Sequence, residues 1–360
     1  MPARKPAWRV ALTWGVSLLG AVLLGGLASL RIRLWPDAVP IPRPDMLALA
    51  VGLFVPYLWL RAHRLAFVVD GLSRAAGGPA RYDRRVLWGS GWVSFLVVLI
   101  LPLRLGELSR PILLARAQRL GVGLAESLGA IAAERVLDGL AVCGLLFLGL
   151  AFSHPGGLED PSLVRGPGRV AAGLFVLALL GLAVASRHPE PMERALAALV
   201  GRLRPQLGPR VAAATDRLMG AVRLATAGRS GAGLVLATAA YWGLATVYPW
   251  ALARACGLDL GPWETAVVVG VIGLAIQLPG GPAQVGSYHF GAAMALGLFL
   301  PDPGGSAVAA FVALSYLVQL FGTAAAALPG LWLLARARRG HSATRPAPAA
   351  GGPGAPSTTP

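Results

Sequence analysis

A single lysine, Lys5, stands in this chain of 360 residues. That scarcity excludes the phosphate-cradling loop GxxxxGK[ST], which needs a lysine after its second glycine. Any drive for work done here therefore comes from gradients or coupled ions, and no cofactor is expected. Cysteine is nearly as rare: Cys143 lies within an apolar run, Cys256 near the end of another, and there is no CxxC pair. Neither a disulfide framework nor a metal site follows from that spacing. The histidines His63, His154, His188, His289 and His341 are scattered, which argues against zinc. Charge of either sign is also scarce, at 13% of residues against 56% hydrophobic, with a mean hydropathy of +0.64. Such a composition cannot dress a water-facing surface, so soluble folds are excluded.

The little charge present leans basic, with 32 Lys+Arg against 16 Asp+Glu and a net charge of +16. The arginines sit between long apolar runs, a pattern that suits anionic headgroups and the positive-inside rule better than nucleic acid, which is not an expected partner. Val10 to Leu30 is uncharged over a bilayer-spanning length and too long for a cleaved signal, so a retained first helix is expected. Met46 to Leu60, interrupted by Pro56, and Val86 to Leu103 follow, and then Gly139 to Phe152, extended backwards through Glu134. In the second half Val170 to Ser186, Ser230 to Ala253, Thr265 to Pro301 and Pro303 to Ala335 are free of Asp, Glu, Lys and Arg.

Thr265 to Pro301 is too long for one crossing: a helix of that length reaches roughly 55 Å against a hydrocarbon core of about 30 Å. It folds back at Pro279, Gly280, Gly281 and Pro282, where backbone groups need protein or a wet cavity around them. The arginine-rich connections 61–85 and 187–229 are expected in the cytoplasm, and the arginine-poor connections 153–169, 254–262 and 301–305 outside. An odd number of crossings must then separate Arg85 from Ser153, which makes 86 to about 122 a second hairpin, entered from the opposite face. Pro102 and Gly106 share the Pro-x-x-x-Gly spacing of Pro282 and Gly286, offset by half the chain.

The expected fold is an all-α polytopic membrane protein with six full spans plus two re-entrant hairpins in two inverted repeats, an arrangement that sets a transport site at the midplane. Its parts are a cytoplasmic N-terminus over 1–9, a first repeat over 10–153, a second over 170–335 that includes an amphipathic segment at 187–229 on the cytoplasmic leaflet, and a disordered cytoplasmic tail over 336–360. The expected location is the cell (inner) membrane.

A charge in hydrocarbon costs about 2.5–3.5 kcal/mol, so charges beside apolar runs need a reason. Arg104, Glu107 and Arg110 are spaced i, i+3, i+6, which forms one stripe on a helix with Glu107 able to hold either arginine. Glu134, Arg135 and Asp138 open the third span. Guanidinium matches phosphate bidentately, so Arg104 and Arg110 are candidates to hold a lipid phosphate with Glu107 gating them. The bland alternative is snorkelling to an interface, preferred for Arg116 and Arg119. Gln284, Ser287, Tyr288 and His289 are polar groups in the second hairpin, placed either to line a headgroup path or to satisfy broken backbone. Tryptophans near run ends, among them Trp59, Trp88 and Trp92, read as interfacial belts.

Pro102-Leu-Arg104-Leu-Gly106-Glu107-Leu-Ser-Arg110, Glu134-Arg135-Val-Leu-Asp138 and Pro279-Gly-Gly-Pro282-Ala-Gln-Val-Gly286-Ser287-Tyr288 together resemble the lysylphosphatidylglycerol synthase transmembrane (flippase-like) family, over roughly 10–335. The resemblance implies a multi-helix module that, in the phosphatidylglycerol lysyltransferases, moves an aminoacylated lipid between leaflets. Those proteins carry a separate aminoacyl-transfer domain that has no counterpart in this sequence, so synthase activity is not implied. Ala283 stands where the second motif often has glycine, and His289 where relatives frequently have a carboxylate or amide. The expected function is flippase-like translocation of an anionic phospholipid or a polyprenyl-phosphate-linked glycolipid. The competing readings are a membrane-embedded transferase on a lipid-linked substrate, with Glu159 and Asp160 as its best acidic residues, and a non-catalytic anchor for a cytoplasmic lipid-modifying enzyme.

Overall fold

The computed structural model describes residues 7–75, 83–116, 124–154 and 228–342, with positions 162, 166, 169–170, 172–177 and 180. Regular structure among the described residues is helical throughout. Helix α1 spans Ala7–Ser29 and α2 Pro44–His63; α3 (Leu65–Ala75) continues α2 through Arg64, whose backbone is itself right-handed helical. Helix α4 (Arg84–Ile100) leads into a 3-10 turn over Pro102–Leu108, then α5 (Ser109–Arg116) and α6 (Leu124–Phe152). Helices α7 (Gly228–Ala255) and α8 (Pro262–Ala275), a 3-10 turn over Pro282–Gln284, α9 (Ser287–Phe299) and α10 (Ser306–Ser342) complete the described chain.

Local chemistry accounts for the boundaries. Proline opens α2 and α8 at the first turn, where a missing N–H costs nothing, and both 3-10 turns start the same way. Asp83 caps α4 by accepting the Arg85 N–H at 2.9 Å. Pro56, expected to interrupt the second run, lies inside an unbroken α2. Buried Ser90 and Ser94 donate to the carbonyls of Leu87 and Gly91, so their hydroxyls are satisfied within an apolar helix.

Among the described residues, five helices are long and apolar enough to cross a bilayer: Ala11–Ser29, Pro44–Asp70, Glu134–Phe152, Gly231–Ala255 and Ser306–Ala337. About half of the expected span Val170–Ser186 lies outside the described residues, as do nearly all of 187–229, the pair Glu159 and Asp160, Arg119, and the tail beyond Ser342. The last helix runs on to Ser342, past residue 336, where the disordered tail was expected to begin. Leu12, Leu19, Val22 and Leu23 of α1 stand exposed, an outward apolar face suited to lipid.

The two ends of the bundle are distinct. At one end a buried cluster joins Ile32, Leu258, Leu260, Phe299 and Val308. There Arg43 donates its backbone N–H to the Ala255 carbonyl, and the His154 N–H reaches the Glu264 carboxylate at 2.6 Å. At the other end Leu65, Val69, Val86, Leu87, Leu114, Leu234 and Ala337 pack together. Val86 near the start of α4 and Leu114 near the end of α5 both belong to this second cluster, and Leu260 before α8 and Phe299 at the end of α9 both belong to the first. At roughly 20 Å each, α8 and α9 are short against a hydrocarbon core of about 30 Å, and α5 is shorter still.

Each reversal has its own tip. After Leu101, in extended conformation, the Pro102–Leu108 turn folds back on α4 so closely that a side-chain carbon on Gly106 would stand 2.5 Å from the Val97 carbonyl oxygen. At the other tip Ala283 and Gln284 adopt φ of 56° and 64°, left-handed values that non-glycine residues rarely take. Gly286, at φ 84°, sits against the α1 backbone at Ala21. Ser17 of α1 donates to the Gly280 carbonyl at 2.6 Å, and the Tyr316 hydroxyl of α10 to the Ala283 carbonyl at 3.0 Å, so two helices clasp the strained turn. Packing is exchanged between sequence halves: α4 lies chiefly on α10, α8 on α6 as well as on α9, and α2 on α7.

Candidate functional site

Four charged side chains meet where the α2–α3 junction, α5 and α6 converge. Arg64, Arg110 and Glu134 are 1%, 3% and 1% exposed. Arg64 Nη1 donates to Asp138 Oδ1 at 2.5 Å, and its Nη2 to Asp138 Oδ2 at 3.1 Å and Glu134 Oε1 at 3.0 Å. Arg110 Nη1 donates to Glu134 Oε2 at 2.9 Å and Nη2 to the Ala62 carbonyl at 3.0 Å. Gly91 makes room for this, since a side-chain carbon there would lie 2.9 Å from the Ala62 Cβ and 3.3 Å from Arg110 Nη2. Glu134 and Asp138, one turn apart on α6, thus balance two guanidiniums from other elements. Removing one member would strand a buried charge. The Nε atoms of Arg64, Arg110 and Arg135 are buried with no hydrogen-bond partner among the described residues.

Above this network lies a cavity of about 460 Å³. Both tips reach it, through Glu107 on one side and Gln277, Gln284 and Tyr288 on the other, and α6 and α7 contribute Arg135, Asp138, Tyr241, Trp242 and Tyr248. Trp242 Nε1 donates to Asp138 Oδ1 at 3.1 Å, and Arg135 approaches Asp138 Oδ2 at 3.5 Å. Arg61, at the end of α2, lines the cavity with its guanidinium 3.9 Å from the centroid of the Phe95 ring. Among the described residues no carboxylate comes within ion-pairing distance of it. A half-buried guanidinium with an aromatic ring on one side and no counter-ion is a ready anion partner.

Of the residues singled out from sequence, Glu107, Arg135, Asp138, Gln284 and Tyr288 line this cavity. Glu134 and Arg110 sit behind its wall in the ion network, and Arg110 is held by Glu134 rather than by Glu107 as the local spacing suggested. Ser287 is buried and donates to the Gln284 carbonyl at 3.1 Å, a capping role for the strained turn. His289 lies tilted against Tyr316 and edge-on to Tyr288, at centroid distances of 5.0 and 5.8 Å. The side chains of Arg104 and Arg116 lie outside what the structure describes. Pro102, Gly106, Pro279, Gly280, Gly281, Pro282 and Gly286 are all at the two tips. Tyr288, lining the cavity, donates to the Ser315 hydroxyl at 2.8 Å.

Sequence reading missed Arg61 and Arg64 by counting both as connection arginines. The apolar pattern nevertheless runs on through Ala62, Leu65, Ala66, Val68 and Val69, all buried, and that continuation is the signal that the helical path does not end at Leu60. Trp59, Trp88 and Trp92 are more than a belt: Trp88 Nε1 donates to His63 Nδ1 at 3.1 Å, with Trp59 stacked on the same imidazole at 4.6 Å. Cys143 and Cys256 are free thiols, and among the described residues no group of three His, Cys, Asp or Glu is disposed to hold a metal ion.

The family described as the lysylphosphatidylglycerol synthase TM region matches residues 7–330. Neither a curated protein nor a solved structure matches the chain. With the apolar helices already described, the match makes this a multi-pass membrane protein with a lipid-related role.

Proposed function

We propose, because this chain belongs to the lysylphosphatidylglycerol synthase TM region family across residues 7–330, that it carries a phosphate-bearing lipid, an anionic phospholipid or a polyprenyl-phosphate-linked glycolipid, between the leaflets of the inner membrane. The chain forms two inverted repeats with cytoplasmic termini, and the segments α4–α5 and α8–α9 are re-entrant hairpins entering from opposite faces. Supporting this are the exchange of helix partners between halves, the opposite ends at which the two segments begin and finish, and the Pro-x-x-x-Gly spacing shared by both tips.

The observation that carries the reading is Arg61, a cation without a carboxylate partner among the described residues, facing a cavity at which both tips meet. In this mechanism Arg61 takes the phosphate, with Arg135 as its second donor. Arg64, Arg110, Glu134 and Asp138 hold the floor rigid, two guanidiniums against two carboxylates. This reassigns the phosphate contact from Arg110, whose terminal nitrogens are already engaged with Glu134 and Ala62. Acyl chains remain in the bilayer along the apolar flank while the headgroup passes between the tips. Glu107 and Gln284 border opposite sides of that passage.

Leaflet-resolved transport in proteoliposomes tests this directly. Arg61→Gln is expected to lower the rate by about tenfold or more, the loss of one charge-assisted phosphate contact worth roughly 1.5–3 kcal/mol. Unchanged transport by a folded Arg61→Gln protein would remove the mechanism, and Arg104→Ala together with Glu107→Ala tests the first tip in the same assay. Sugar transfer from a lipid donor by the purified protein would instead support a transferase.

A further inference from the structure

We infer that the cavity selects a headgroup made of one phosphate and a neutral polyol, glycerol or inositol in kind, and turns away headgroups that carry an ammonium. This rests on the reading above in taking the cavity as the headgroup site, and it narrows the substrate class.

An ammonium entering a low-dielectric recess needs a carboxylate with spare acceptor capacity or an open aromatic face. Neither is offered. Asp138, the acid best placed to meet it, has each oxygen already in use: Oδ1 accepts from Arg64 at 2.5 Å and from Trp242 at 3.1 Å, Oδ2 accepts from Arg64 at 3.1 Å, and Arg135 stands 3.5 Å away. Glu107 is itself engaged, and Glu134 is sealed behind the wall by two arginines. The two rings that face these arginines are committed as well. Phe95 carries Arg61 at 3.9 Å, while Tyr241 has Arg64 at 4.1 Å and is stacked with Tyr57 at 5.1 Å and 15°.

What the cavity leaves uncommitted has a different character. Besides Arg61, the side-chain amides of Gln284 and Gln319 and the Tyr248 hydroxyl line it with no hydrogen bond among the described residues. Amides and a phenol both donate and accept, which suits neutral hydroxyl groups and offers nothing to neutralise a cation. A lysylated headgroup, with two ammonium groups near its phosphate, would instead bring positive charge against Arg61 and Arg135. The chemistry of this cavity therefore departs from the aminoacylated lipid that the family's description names.

Native mass spectrometry of the delipidated full chain, titrated with phosphatidylglycerol, phosphatidylinositol, phosphatidic acid, phosphatidylethanolamine and lysylphosphatidylglycerol of matched acyl chains, decides the matter. Phosphatidylglycerol and phosphatidylinositol are expected to bind about tenfold or more tightly than phosphatidylethanolamine or the lysylated lipid. Gln284→Ala with Gln319→Ala is expected to weaken phosphatidylglycerol by about fivefold or more while leaving phosphatidic acid unchanged. Equal or tighter binding of either ammonium lipid overturns the inference, as does a folded double variant with unaltered preference; if that variant fails to fold, the wild-type titration alone decides. Selective binding without leaflet transfer in proteoliposomes would sink translocation and leave this inference standing. Transfer of ammonium lipids as fast as phosphatidylglycerol would do the reverse, and binding of none of the five would sink both.

Discussion

Glu134→Gln preserves side-chain shape and removes one negative charge at the point where two buried guanidiniums converge. In the native protein its two oxygens serve different arginines, Arg64 at 3.0 Å and Arg110 at 2.9 Å. A carboxamide can accept from only one of them and turns its NH₂ towards the other, donor against donor. Arg64 retains Asp138, so the loss falls on Arg110, which is left with the Ala62 carbonyl as its remaining bond among the described residues. Breaking a buried pair by altering one partner costs about 3–5 kcal/mol, because a desolvated charge loses its counter-ion. Removing both partners with apolar residues of similar volume, Arg110→Met with Glu134→Leu, is expected to recover most of that stability, since such replacements are often neutral or better. Thermal unfolding of the purified protein, followed by tryptophan fluorescence, measures both variants. A wild-type midpoint for Glu134→Gln, or a double variant no more stable than the single, would refute the charge-balance account of the network.

Other predictions are more local. Ala283→Gly relaxes a residue held at φ 56°, where an alanine pays about 1–2 kcal/mol, and is expected to raise the unfolding midpoint. Gly286→Ala adds a carbon 2.5 Å from the Ala21 carbonyl oxygen at a φ of 84°, and is expected to displace α1 from the tip and lower stability by about 1–3 kcal/mol. Arg61→Gln, by contrast, is expected to leave the midpoint within about 1 kcal/mol of wild type, because it breaks no ion pair among the described residues. Cys256 is buried, and its thiol, pushed up to about 11 by that burial, is expected to label on the order of a hundredfold more slowly than an exposed cysteine; rapid maleimide labelling would contradict its packing.

Much of the architecture is readable from residue order. Proline and glycine clustered in runs otherwise built for helix marked both tips, because no helix carries Pro279-Gly-Gly-Pro282 through an apolar interior. Glu134 and Asp138 were conspicuous because an acid beginning a span is expensive unless paired. Their partners were not legible. Arg64 joins α6 across 70 residues and more, and local spacing favoured the nearer Glu107 for Arg110. A charge at the end of an apolar run reads as the start of a connection, which hides Arg61 and Arg64 from a reading of residue order. Tyr57, Tyr241 and Tyr248 come into contact only after α2 and α7 have paired, and nothing along either helix announces that they meet.

The exchange of helix partners between halves bears on how the protein is made. Helix α4 emerges from the ribosome well before the surface it leans on, α10, the last long helix among the described residues. Until then the first tip waits with one flank bare, and a nascent chain stalled before Ser306 holds every charged member of the buried network without the wall behind α4. Separately expressed halves would each lack part of their own interior and would acquire it only by finding one another.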